Sequence, residues 1–138
     1  MMRLALIFCF LCGPALADTV VAARTIRPQS LVTAQDLVIK PGTLPGTVSD
    51  PAQIIGMEAR VALYAGRPVR IGDVGPPAVI DRNQIVSLIF IQNGLRISAE
   101  GRALDRAGVG EIVRVMNISS RNTISGFVTA DGRVMVSQ

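Results

Sequence analysis

The sequence predicts a mostly β protein built from two small modules, a β-clip and then a small β-barrel or sandwich. Three observations point there. Apolar residues make up 49% of the 138-residue chain, and much of that share is Val and Ile, whose branched side chains favour strands. Turn signals recur about every ten residues in the second half, the spacing of short antiparallel strands. Between the halves stands Gly75-Pro76-Pro77-Ala78, and consecutive prolines can join neither a helix nor a central strand. The predicted divisions are a leader at 1–17, the β-clip at 18–76 and the second β module at 77–138.

The leader reads MMRLALIFCFLCGPALA. It has an early charge at Arg3, an apolar run from Leu4 to Leu11, a Gly13-Pro14 break and small residues before the expected cleavage between Ala17 and Asp18, the plan of a secretory signal peptide. The apolar run is about half the roughly twenty residues that span a bilayer. Export with cleavage is therefore expected, and no membrane insertion after it. The cysteines, Cys9 and Cys12, leave with the leader. Neither disulfides nor thiol chemistry belongs to the remaining chain.

In the first module, Thr19 to Arg24 reads as a strand and Arg27 to Ser30 as a turn about Pro28. Thr33 stands three residues before Asp36, a capping pattern that starts one helical turn before the apolar Leu37 to Ile39. Pro41 to Asp50, PGTLPGTVSD, is expected to be a lid-like loop. Asp50 to Gly56 frames a short helix, proline first and glycine last. MEARVAL, Met57 to Leu63, reads as a strand that turns at Ala65-Gly66 and continues as RPVRIGDV. That segment echoes RPQSLVTAQDLV, with Asp36 and Asp73 at comparable positions. Two strand-turn units folding over each other are what a β-clip requires.

In the second module, Asn83 to Gln92 is a long apolar strand ending at Asn93-Gly94, a two-residue hairpin signal. LRISAEGRAL returns, with Leu95, Ile97 and Ala99 facing opposite to Arg96, Ser98 and Glu100. EIVRVMNIS, NTISGFVT and RVMVSQ complete the set, the last two joined at Asp131-Gly132. GRALDRAGVGEIVRV, Gly101 to Val115, has the glycine density of a phosphate-gripping loop. A β-branched run follows it where that role needs a helix, so its glycines are read as turn residues between strands.

The inventory excludes whole classes of function. The chain has no histidine, which removes imidazole catalysis and His metal sites. Lys40 is the only lysine and no carboxylate spacing is distinctive, so the chain is expected not to be an enzyme and to carry no cofactor and no metal. Without Arg3, thirteen of the fourteen basic residues face ten acidic ones. Twelve of those thirteen are arginines suited to carboxylate contacts. Only Tyr64, Phe90 and Phe127 remain as aromatics, too few for base stacking, and no nucleic-acid partner is expected.

A family resemblance rests on Gly101, Ala103-Leu104, Gly108, Gly110, the Ile112-to-Asn117 strand, Ser120-Arg121, Gly126 and Gly132-Arg133-Val134. In the first half it rests on Ala23-Arg24, Thr33, Asp36-Leu37, Gly56, Arg60, Gly66, Pro68 and Asp73-Val74. With these the chain resembles the periplasmic chaperones that assemble the flagellar basal-body P-ring, and its first module resembles an SAF domain. The resemblance implies a non-enzymatic carrier that binds the flagellar P-ring subunit protein in the periplasm and assists its polymerisation around the rod. It also implies a short form, without the additional N-terminal domain of longer members. Candidate partner contacts are Arg60 and Tyr64 in the first module and Phe90 and Phe127 in the second, with burial in the core as the alternative for the phenylalanines. Two other readings are an exported SAF-type carbohydrate or cell-wall binding module and a pilus-assembly relative.

Overall fold

The computed structural model describes residues 17–136. The leader up to Leu16, with Cys9 and Cys12, lies outside the described residues. Eleven strands run in order: β1 Asp18–Ala22, β2 Leu37–Pro41, β3 Glu58–Ala59, β4 Val74–Gly75, β5 Ala78–Ile80, β6 Ile85–Gln92, β7 Leu95–Ala103, β8 Ala107–Gly108, β9 Ile112–Asn117, β10 Thr123–Val128 and β11 Val134–Val136. Single 3-10 turns at Ala34–Asp36, Pro51–Gln53 and Ile71–Asp73 are the helical elements among them.

The first part of the chain wraps a small core with little continuous sheet. β1 pairs antiparallel with β2, and β3 with β4. Isolated bridges, Val21 to Pro68, Ile26 to Leu63, Leu31 to Glu58 and Thr47 to Arg70, tie the remaining segments together. Inside lie Val20, Ala22, Ile26, Val32, Val48, Ile54, Leu63 and Val69. Short branched side chains suit such a core, because successive segments cross at close range with no long ladder to hold them apart.

Two expected strands are corrected here. In Met57 to Leu63 only Glu58–Ala59 joins a ladder; the Arg60 N–H still bonds the Asp73 carbonyl in the same register (2.7 Å), and pairing stops there because the partner segment Ile71–Asp73 is a 3-10 turn. In RPVRIGDV, residues Ile71–Asp73 form a 3-10 turn because the Asp73 carboxylate accepts the Arg70 N–H at 3.1 Å. The same device acts at Asp36, whose carboxylate accepts the Thr33 N–H at 2.9 Å. The sequence echo is thus a repeated capped turn, each leading into a strand, β2 after Asp36 and β4 after Asp73. The loop expected as a lid is pinned. The Leu44 carbonyl accepts the Thr47 hydroxyl (2.6 Å), and the Gly46 carbonyl accepts the Ile71 N–H (3.2 Å).

The second part is a closed barrel in the order β10-β11-β6-β7-β9, with β11 running parallel to β6. Val86, Leu88, Ala103, Val113, Val115, Val128 and Val134 fill it. Gly101 sits inside where a Cβ would stand 2.3 Å from Val115 Cγ1 and 3.0 Å from Leu88 Cδ1. Gly110 takes φ 81° at the corner before β9, and a Cβ on Gly108 would meet the Pro77 carbonyl oxygen at 2.7 Å. Every glycine of GRALDRAGVG therefore has a packing or turning duty, and none opens a helix. The Asn93-Gly94 turn takes φ 49° and 79°, the left-handed pair that a two-residue hairpin needs. Asp131-Gly132 differs from expectation. The connection runs from Thr129 to Arg133, only Gly132 turns left-handed (φ 76°), and the Thr129 N–H bonds the Arg133 carbonyl at 2.9 Å.

Candidate functional site

Arg60 belongs to an ionic contact between the two cores. Glu58 and Arg60 lie two residues apart, and both reach residues beyond Gly75. Glu58, 4% exposed, accepts the Ala78 N–H at 3.1 Å and takes a two-point contact from Arg106, with Nε and Nη2 each at 2.9 Å. Arg106 also pairs with Asp81. Arg60 donates from Nη2 to Glu111 at 2.5 Å and to the Pro76 carbonyl at 3.1 Å. Glu111 in turn accepts the Gly108 N–H at 2.7 Å. Each side thus supplies one acid and one base. The guanidinium of Arg106 holds the Glu58 carboxyl below the usual glutamate range, against a smaller opposing push from burial. Sequence reasoning named Arg60 but missed Arg106 and Glu111, because a charge pair separated by 48 or 51 residues leaves no local spacing to read.

Tyr64 stands elsewhere, 56% exposed, on the wall of a cleft of about 450 Å³. Two reverse turns shape the cleft. In Leu44-Pro45-Gly46-Thr47 and Tyr64-Ala65-Gly66-Arg67 the first carbonyl accepts the fourth N–H, at 3.3 and 3.1 Å, and the third residue is a glycine at φ 77° or 80°. Positive φ at that position marks a type II turn. The second turn brings Arg67 back over Tyr64, its guanidinium carbon 5.8 Å from the ring centroid. Arg70 lines the same hollow.

The two phenylalanines sit differently from each other. Phe90 is half-buried and registers against the exposed Ile97 of β7 and against Val136 of β11, beyond the core residues Val86 and Leu88 on the same strand. Phe127 is 47% exposed on the outer face, in register with Met135 and with Ile112, itself 64% exposed. Ala17 precedes β1, its carbonyl accepting the Thr43 hydroxyl at 3.3 Å, and Asp18 opens β1 opposite Pro41.

Two further carboxylates are occupied with structure. Asp36, 1% exposed, accepts from the Thr33 hydroxyl and N–H and from Arg24, and the Thr33 hydroxyl contributes most to holding its carboxyl below the usual aspartate range. Asp105 is lowered in the same direction, first by its hydrogen bonds from Arg114 at 2.7 and 2.8 Å. Among the described residues no three His, Cys, Asp or Glu side chains converge as a metal site would need, and no helix is long and apolar enough to cross a membrane.

Comparison with known proteins extends across both cores. The family model described as "Chaperone for flagella basal body P-ring formation" matches residues 17–136. The flagellar protein FlgA of Agrobacterium fabrum is 31% identical over 131 residues, covering 90% of this chain and 81% of that one. The flagella basal body P-ring formation protein FlgA of Escherichia coli is 29% identical over 126 residues, and the match spans 57% of its length. Among solved structures, Salmonella FlgA in its open form superposes with a TM-score of 0.66 at 28% identity, over 88% of this chain and 60% of that one.

Proposed function

The chain belongs to the family of chaperones for flagella basal body P-ring formation, and from that premise we propose that it is an exported, non-enzymatic carrier of the P-ring subunit in the periplasm. The observation that carries this reading is the extent of the family match, which takes in both hydrophobic cores and the charged contact between them. The relatives are named for flagella, which favours this role over the carbohydrate-binding and pilus-assembly readings.

An assembly chaperone must hold its client without reacting with it, and the surfaces described above suit that task. The exposed Tyr64 and Phe127 are the aromatic anchors of the proposed contact. Arg60 sets the angle between the modules, and Phe90 supports the barrel end beside β7. The break at Gly75–Ala78 is the proposed boundary between modules 18–76 and 77–138. Cleavage after Ala17 would leave β1 whole, since its first residue is Asp18.

The test is co-purification of the P-ring subunit from periplasmic extract with this chain as bait, together with a deletion strain. Retention of the subunit, and loss of P-rings with the subunit still made, is the expected result. Intact rings at normal number in the deletion strain would refute the role.

A further inference from the structure

We propose that the cleft between the two reverse turns is a docking site for an extended polypeptide segment carrying a carboxylate beside aliphatic side chains. The proposal rests on the chaperone reading and says where, and by what chemistry, the client is held.

The first argument is apolar surface in one place. Leu44 is 51% exposed, Val61 47% and Tyr64 56%, and all three line the same hollow. Scattered apolar side chains on a surface need no explanation, but a cluster around a concavity does. A volume of about 450 Å³ falls within the range of roughly 300–1,000 Å³ usual for ligand pockets.

Charge supplies the second argument and selects the occupant. Arg67 and Arg70 line the cleft, and among the described residues neither is in an ion pair. The acid beside them, Asp73, is engaged with the Arg70 N–H. Two guanidiniums against one carboxylate leave the hollow with an excess of positive charge, which beside an aliphatic wall fits a carboxylate flanked by apolar groups. An anionic glycan fits less well, because its many hydroxyls would be buried without partners. The Thr47 hydroxyl is already given to the Leu44 carbonyl, no Asn or Gln lines the hollow, and its one carboxylate, Asp73, already accepts the Arg70 N–H.

Third, the walls are set before anything binds. The Ala22 N–H bonds the Arg67 carbonyl at 3.0 Å, the Gly66 N–H bonds the Ala22 carbonyl at 2.8 Å, and the Thr47–Arg70 bridge joins the walls. Stacking over Tyr64 holds Arg67 at the rim. Little ordering cost then opposes docking.

The experiment is calorimetric titration of the purified chain with the P-ring subunit, and with overlapping synthetic peptides from it, for four proteins. These are the unaltered chain, Tyr64→Ala, Arg67→Gln/Arg70→Gln and Arg67→Lys/Arg70→Lys, each checked for an unchanged melting temperature. Tyr64→Ala and the double Gln variant are expected to raise Kd by roughly tenfold or more, with the Lys variant in between. Replacing Asp or Glu by its amide in the best peptide should produce a similar loss. Failure of the unaltered chain to bind the subunit would overturn the chaperone reading itself. Undiminished binding by both the Ala and Gln variants, or cleft-dependent binding of cell-wall glycan fragments in place of peptides, would overturn the cleft alone.

Discussion

Gly101 shows how little room one residue position can leave. It lies on β7 opposite Val86 of β6 and Asn117 of β9, and its missing side chain is the space into which Val115 projects. Gly101→Ala forces a Cβ against Val115 Cγ1 and Leu88 Cδ1 at once. Inserting one carbon into a filled core typically costs about 1–3 kcal/mol, so this variant should melt several degrees lower, as read by circular dichroism. An unchanged melting temperature would mean the barrel interior is looser than its packing implies. Gly110 answers to a different demand, since nothing lies within 4 Å of its would-be Cβ and only its φ of 81° requires glycine. One motif therefore contains two separate reasons for the same residue.

At the scale of elements, hairpins were readable because turn and strand patterns agree. Asn93-Gly94 marks the β6–β7 hairpin in the sequence and occupies the left-handed conformation in the structure. Gly94→Ala should destabilise by about 1 kcal/mol through strain at positive φ, lowering the melting temperature by roughly 3–5 °C for two modules that unfold together. A gain in stability would show that the turn relaxes to another type. The β-clip core was harder to read. Its segments meet through single bridges between residues such as Ile26 and Leu63 or Thr47 and Arg70, which impose no period-2 alternation on the sequence. Of the candidate contacts, Tyr64 and Phe127 could be named from scarcity of aromatics. Arg67 and Arg70 escaped notice because their importance comes from a cleft made by two turns twenty residues apart in sequence.

For the whole molecule, the coupling between the two cores rests on Glu58–Arg106 and Arg60–Glu111. Glu58 is nearly buried, and its side chain and that of Arg106 are 5% and 27% exposed. Such a pair is weakly stabilising when intact but costly to break from one side, because the remaining charge loses its partner. Glu58→Gln should therefore cost about 1–3 kcal/mol, discounted because Arg106 keeps Asp81. Its clearest signature should be in cooperativity. The unaltered chain is expected to unfold in one calorimetric transition, and Glu58→Gln/Glu111→Gln, with both contacts weakened, in two. The pH dependence follows from the same carboxyl. Its folded pKa lies below the ordinary value of 4.5, so it binds fewer protons folded than unfolded, and its contribution is present in full above that value. The contribution fades as pH falls through the lowered folded pKa. Paired fluorophores on the two modules should report a constant separation from about pH 5 to 8 and a loosening only below about 4.5. A change in separation between pH 6 and 8 would rule out the Glu58 carboxylate as the coupling, since it would not change charge there.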